Sequence, residues 1–231
     1  MKLSEVMLND DPIKTWNAKG ELLPDPNLIR NIDYLECFIE LEIEEWGVHC
    51  RTIDEQLEAK SYPICIQLLL SDKNVIKYLK ALFDIIVYYM ACSEALEKLM
   101  AQLFRVSVDH YGLRLKKPKL KLDQAFHEKT KIIRNISFIH QDSKDTSNPM
   151  DKRLAMSWWP TLSSKIGVKP TCRDYVFGGG KWWVKVNGVK TETEIDILVE
   201  DLFEYSTRCR EQLSIRKNRL LEYYREIIHN K

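Results

Sequence analysis

Residues 73–109 read KNVIKYLKALFDIIVYYMACSEALEKLMAQLFRVSVD, and this stretch decides the fold. Val75, Leu79, Leu82, Phe83, Ile86 and Met90 recur at mostly three- and four-residue steps, and Leu96, Leu99, Leu103 and Phe104 continue the row. With 3.6 residues per turn, such a row forms one apolar stripe along a helix. Ser71-Asp72-Lys73-Asn74 offers capping groups ahead of it, and Gly112 and Pro118 close it. A helix this long gains most of its stability by burying its stripe against other elements. The chain is therefore expected to be mainly α.

Upstream, residues 61–71 predict a short buried helix that starts at Pro63. Before it, Ile32, Leu35, Phe38, Ile39 and Leu41 predict a helix from about Asn27 to Trp46 or Cys50, with Gly47 ending or bending it. Residues 1–26 carry Asp10-Asp11-Pro12, Lys19-Gly20 and Pro24-Asp25-Pro26, the chemistry of turns, and are expected as an irregular arm. Downstream, Phe126, Ile132, Ile133, Ile136 and Ile139 predict a second strong helix over 122–140, followed by a polar loop through Pro149. Residues 150–166, with Trp158 and Trp159, are read as a shorter helix. Asn187-Gly188 between Val186 and Val189 signals a β-hairpin within 173–192. A last helix is expected from Glu192 to His229, bent near Ser214. The domain reading is thus an arm at 1–26, a helical core at 27–150, and an extension at 151–231 packed on that core.

Composition narrows the function classes. Hydrophobic residues make up 45% of the 231, enough for a core, and charged residues 30%, enough to solvate it. A net charge of +1 argues against a chain coated in cations for nucleic acid. The most apolar run, 81–90, is broken by Asp84 and falls short of the roughly 20 residues that cross a bilayer. No signal-type apolar run opens the sequence. A soluble, cytoplasmic protein with no membrane partner is expected. The six cysteines are widely spaced, without CxxC pairs, so no metal site and no cofactor is expected. Scattered reduced thiols in a core are the plainer reading.

One short segment carries a chemical signal. Lys131-Ile-Ile-Arg134-Asn135-Ile-Ser-Phe-Ile-His140-Gln-Asp142 places an arginine, a polar neighbour and, after five intervening residues, a histidine at the end of an amphipathic pattern. This segment resembles the signature of HEPN domains, in which an Arg, often followed by a polar residue, precedes a His by four to six intervening residues. The long preceding helix is similar too: its Ser93-Glu94-Ala95-Leu96-Glu97 stretch resembles the apolar helix of that family, which often carries an inward-facing Glu. The resemblance covers about 73–145. It implies an antiparallel helical bundle, here with a small appended β-hairpin, and a homodimer whose paired motifs line one cleft. Arg105-Val-Ser-Val-Asp-His110 also fits the spacing but lacks the polar residue after the Arg.

The chemistry implied is RNA cleavage without a metal. A neutral-range histidine, His140, suits deprotonation of the ribose 2′-hydroxyl or protonation of the leaving oxygen. Arg134 would bind the phosphate and offset charge in the transition state. Asn135 would orient one or the other. Glu97, and less directly Ser93, would support Arg134. On an ideal helix Arg134 and His140 lie about 120° and about 9 Å apart, so one helix does not turn both to one phosphate. A two-fold axis brings copies of one motif together.

Lys116, Lys117, Lys119 and Lys121, with Arg114, form a basic run that suits RNA backbone contact, a solvated loop being the plainer reading. Cations at 208–219 read as a solvated helix face. The tryptophan pairs at 158–159 and 182–183 read as core aromatics before base-stacking platforms. Gly178-Gly179-Gly180 lacks a phosphate-loop pattern and reads as a flexible connector. His49, His127 and His229 have no evident ligand neighbours. Three functions follow: an HEPN-type endoribonuclease, as a toxin or antiviral effector with an inhibitory protein partner; a non-catalytic helical module that binds a nucleotide or a protein; and an unrelated helical scaffold.

Overall fold

In a computed structural model, the chain is described for residues 2–9, 13–59, 73–118, 130, 157–160, 175–186 and 189–230. Among these, the structure is mainly helical, with two small antiparallel sheets. The helices are α1 (Leu3–Leu8), α2 (Pro26–Ala59), α3 (Lys73–Arg105) and α4 (Val199–Asn230). A π-helical turn, Val106–His110, extends α3. The chain divides into two compact units, each made of non-adjacent stretches.

The first unit joins residues 1–41, 87–129 and 208–231. Its α4 stripe is Cys209, Leu213, Arg216, Leu220, Tyr223 and Ile227, at steps of four and three, and all six are buried. On α3 the buried row runs Tyr89, Cys92, Ser93, Leu96, Leu99, Met100, Leu103 and Val106. On α2 it is Ile29, Ile32 and Ile39, with Glu36 completing the same three-four step. Phe38 and Leu41, expected on this stripe, are 45% and 55% exposed. The stripe is set one position back, and Phe38 instead packs its ring 5.5 Å from that of Tyr88.

The stretch read as an irregular arm holds local structure of its own. The Asp33 carboxylate on α2 accepts from the backbone N–H of Leu3 at 2.8 Å and Ser4 at 2.9 Å. It thus satisfies two of the donors that the start of α1 leaves open. Leu3 and Met7 are fully buried, and Tyr224 donates to the Met7 carbonyl. Strands β1 (Thr15–Trp16) and β2 (Leu22–Leu23) pair around a turn. There the Asn17 side chain accepts from Lys19 and Glu21, and Gly20 takes a positive φ of 74°. Asp25 then accepts from Asn27 N–H and Pro26 opens α2, an N-cap followed by proline at the first helical position.

The second unit joins residues 42–86 and 130–207. Trp46, Cys50 and Ile53 on α2 and Tyr78, Ala81, Phe83, Ile85 and Ile86 on α3 are buried in it. The Trp46 and Tyr78 rings lie 5.7 Å apart. Gly47 neither ends α2 nor meets any atom within 4 Å of where a Cβ would sit.

This unit also holds the three-stranded sheet β3 (Ser157–Pro160), β4 (Tyr175–Val186) and β5 (Val189–Leu198), in that order. The hairpin expected at Asn187-Gly188 is there, with Val186 paired to Val189. Three expectations are corrected. Ser157–Pro160, with both tryptophans, is strand rather than helix and pairs with residues 175–178. The last helix begins at Val199, because the alternation Val189, Thr191, Thr193, Ile195, Ile197 carries the strand past Glu192 to Leu198. The glycine run is not a connector but part of β4, where the register slips by one residue between Gly178 and Lys181. The slip sets the pairing of the two rows. It puts Phe177, Trp182, Val184 and Val186 in one row with Ile197, Thr193, Thr191 and Val189. Val176, Lys181, Trp183 and Lys185 fall in the other row, with Leu198, Glu194, Glu192 and Lys190. One extra residue reverses the alternation of β4, and glycine is suited to the bulge that does it. The helix expected over 61–71 lies outside the described residues, as does that over 122–140 apart from Thr130, which is helical and buried.

Candidate functional site

The α3 helix places three polar residues one turn apart, at Tyr89, Ser93 and Glu97. Residues four apart share a helix face. Ser93 is 1% exposed and Tyr89 fully buried. Burial pushes the Tyr89 hydroxyl up to about 12, with the nearby Arg216 cation and the Ser93 hydroxyl pulling the other way. Glu97 lies at the edge of this row, its side chain 57% exposed.

Opposite the row on α4 stands Arg216, whose side chain has no exposure at all. Its Nη2 donates to Glu97 Oε1 at 3.1 Å, while Nε and Nη1 have no hydrogen-bond partner among the described residues. Burial lowers its pKa, and Tyr89 and Glu97 oppose that shift. Glu97 therefore has a partner within the first unit that its sequence context does not reveal. A signal is present all the same: Arg216 sits in an otherwise apolar α4 stripe, although its neighbouring cations make it look like one of a solvated set. Glu36 is the matching case on α2. Burial raises its pKa, and it pairs with Lys217. Arg210 pairs with Glu40 through Nε at 2.9 Å, so the walls of a cleft of about 470 Å³ between α2 and α4 carry charges already matched.

The other predicted site residues divide by location. Arg134, Asn135 and His140 lie outside the described residues, as do Lys119 and Lys121. Lys116 and Lys117 are exposed in the segment after the π-turn, and the Lys117 ammonium stands 6.0 Å from the centre of the Phe104 ring. The thiols of Cys50, Cys92 and Cys209 are buried and free, and that of Cys37 is exposed. Burial raises Cys92 to about 12 and Cys209 higher still, which leaves neither as a thiolate at neutral pH. Among the described residues, no three His, Cys, Asp or Glu side chains are grouped to hold a metal ion. No described helix is long and apolar enough to cross a membrane.

Comparison of the chain with protein-family models, with curated proteins and with solved structures returns no match.

Proposed function

We propose that this chain is an HEPN-type endoribonuclease that cuts RNA without a metal, acts as a homodimer and is restrained by a protein partner as a toxin or antiviral effector would be. One observation carries the reading: the Arg134-Asn135…His140 spacing at the end of an amphipathic helical pattern. The mainly helical fold and the buried polar row on α3 are compatible with it. Arg134 binds the scissile phosphate, His140 moves the proton of the 2′-hydroxyl or the leaving oxygen, and Asn135 orients them. The second copy supplies the groups that one helix cannot turn to the same phosphate.

A second reading is favoured by Glu97. Its engagement with Arg216 gives that carboxylate a role in the fold, which is what a non-catalytic module binding a nucleotide or a protein would need. Purified protein, free of any inhibitor, separates the two. Incubated with RNA in EDTA, it is expected to cut and leave cyclic phosphate ends. His140→Ala should lower the rate by about 10²–10⁴-fold, the usual loss for a general acid–base histidine. An inactive wild type, or a His140→Ala protein that cuts as fast, transfers first place to the binding module.

A further inference from the structure

We propose that the end of α3, from Arg105 through Lys117, is a contact surface for the phosphodiester backbone of single-stranded RNA; the choice of RNA rests on the function proposed above. The starting point is the second Arg…His pair, Arg105 and His110. In an α-helix, residues five apart point about 140° away from each other. Here the chain does not stay α-helical. Val106–His110 is a π-turn, closed by the Tyr111 N–H on the Val106 carbonyl at 3.3 Å. A turn closed by an i→i+5 bond winds more widely than an α-helical turn, so residues five apart come nearer in angle. The turn narrows the angle between Arg105 and His110 from its α-helical value, and both are exposed.

The chain then folds back on itself. Gly112 takes a positive φ of 63°, and the Leu113 N–H bonds to the Ser107 carbonyl at 2.8 Å. The return brings Lys117 over Phe104, the residue next to Arg105. Arg105, Arg114, Lys116 and Lys117 are all exposed, and Asp109 is the sole carboxylate of residues 105–118. The excess of cations thus gathers at one end of one helix in a chain of net charge +1. Backbone phosphates are recognised by such clusters without regard to sequence. Two features favour a single strand over a duplex. Tyr111 is half-buried with its ring edge-on to His110 at 4.7 Å, and Val108 in the same turn is 40% exposed. An apolar and aromatic ledge bordered by cations suits unpaired bases beside a phosphate chain.

The test is equilibrium binding of a fluorescent unstructured RNA oligonucleotide to the full chain carrying His140→Ala, so that cleavage does not intrude. Adding Arg105→Gln and Lys117→Gln should weaken binding about tenfold at 0.1 M salt and lower the salt slope by about 1.4, near 0.7 for each phosphate no longer neutralised. The control pair Arg51→Gln and Lys77→Gln removes two exposed cations elsewhere and should leave binding unchanged. Equal losses from the two pairs, or no loss from the first with helical circular dichroism intact, overturns the surface. So does displacement of the RNA by polyglutamate at equal charge concentration, which would mark an acidic protein as the occupant. The cleavage assay is read separately. Localised binding without cleavage sinks the ribonuclease and leaves the surface standing. Cleavage by a protein whose affinity ignores Arg105 and Lys117 does the reverse.

Discussion

Arg216 is the residue where packing and charge conflict most openly. A fully buried guanidinium with one carboxylate partner is costly to desolvate, and its partner Glu97 is itself half in water. The pair is therefore a poor source of stability, although breaking it from one side strands a charge. Glu97→Ala is expected to cost about 1–3 kcal/mol, below the roughly 3–5 of a fully enclosed pair because water reaches the vacated place. Arg216→Met, which fills the α4 stripe with an apolar chain of similar length, should stay within about 1 kcal/mol of the parent or exceed it. Urea unfolding of both variants checks the order, and a methionine variant weaker than Glu97→Ala would show the guanidinium to be a true keystone. The pair is hidden in the sequence because a stripe is read by its majority. One arginine among Cys209, Leu213, Leu220, Tyr223 and Ile227 looks like a phase error in the helix, not a buried ion.

At the scale of the element, one hydroxyl ties the π-turn to α3 and to α4. Ser107 donates to the Phe104 carbonyl at 2.7 Å and shares a 2.9 Å hydrogen bond with the Tyr223 hydroxyl. Both bonds are absent from Ser107→Ala, which leaves Tyr223 without this partner inside the core at a cost of about 1–3 kcal/mol. Tyr223→Phe removes the same bond from the other side. The double variant should cost less than the sum of the singles, by about 0.5–1 kcal/mol or more, since the two share an interaction. Strict additivity in a urea double-mutant cycle would show that the bond between them contributes nothing.

The elements themselves are legible in proportion to their regularity. The 33 residues of α3 follow from their stripe, and the β4–β5 hairpin follows from Asn187-Gly188. The start of α4 is obscured because period-two alternation and a helical reading overlap near Glu192. The glycine run escapes a reading along one strand because a bulge is a relation between two strands, and only the register of the partner reveals it. The proposed catalytic segment, 134–140, is legible as a motif alone. The geometry proposed for it calls for a helix end and a second copy of the chain, neither of which spacing encodes.

At the scale of the whole molecule, the ribonuclease reading requires two copies. Arg134 and His140 lie about 120° apart on an ideal helix, so a single chain does not readily bring both to one phosphate. Sedimentation at micromolar concentration is expected to give a dimer, with or without RNA. A strict monomer under both conditions would remove the homodimer and, with it, the proposed arrangement of the site. The first unit has a further property that comes from its chain order. Met7 accepts from Tyr224, Glu36 pairs with Lys217, and Ser107 meets Tyr223. Each bond joins a residue far upstream to one on α4. A ribosome delivers the chain from one end, so Met7 and Glu36 emerge well before their partners on α4. Met7 and Glu36 then wait for groups that lie 217 and 181 residues further along the chain, so this unit cannot close its own contacts until α4 has emerged.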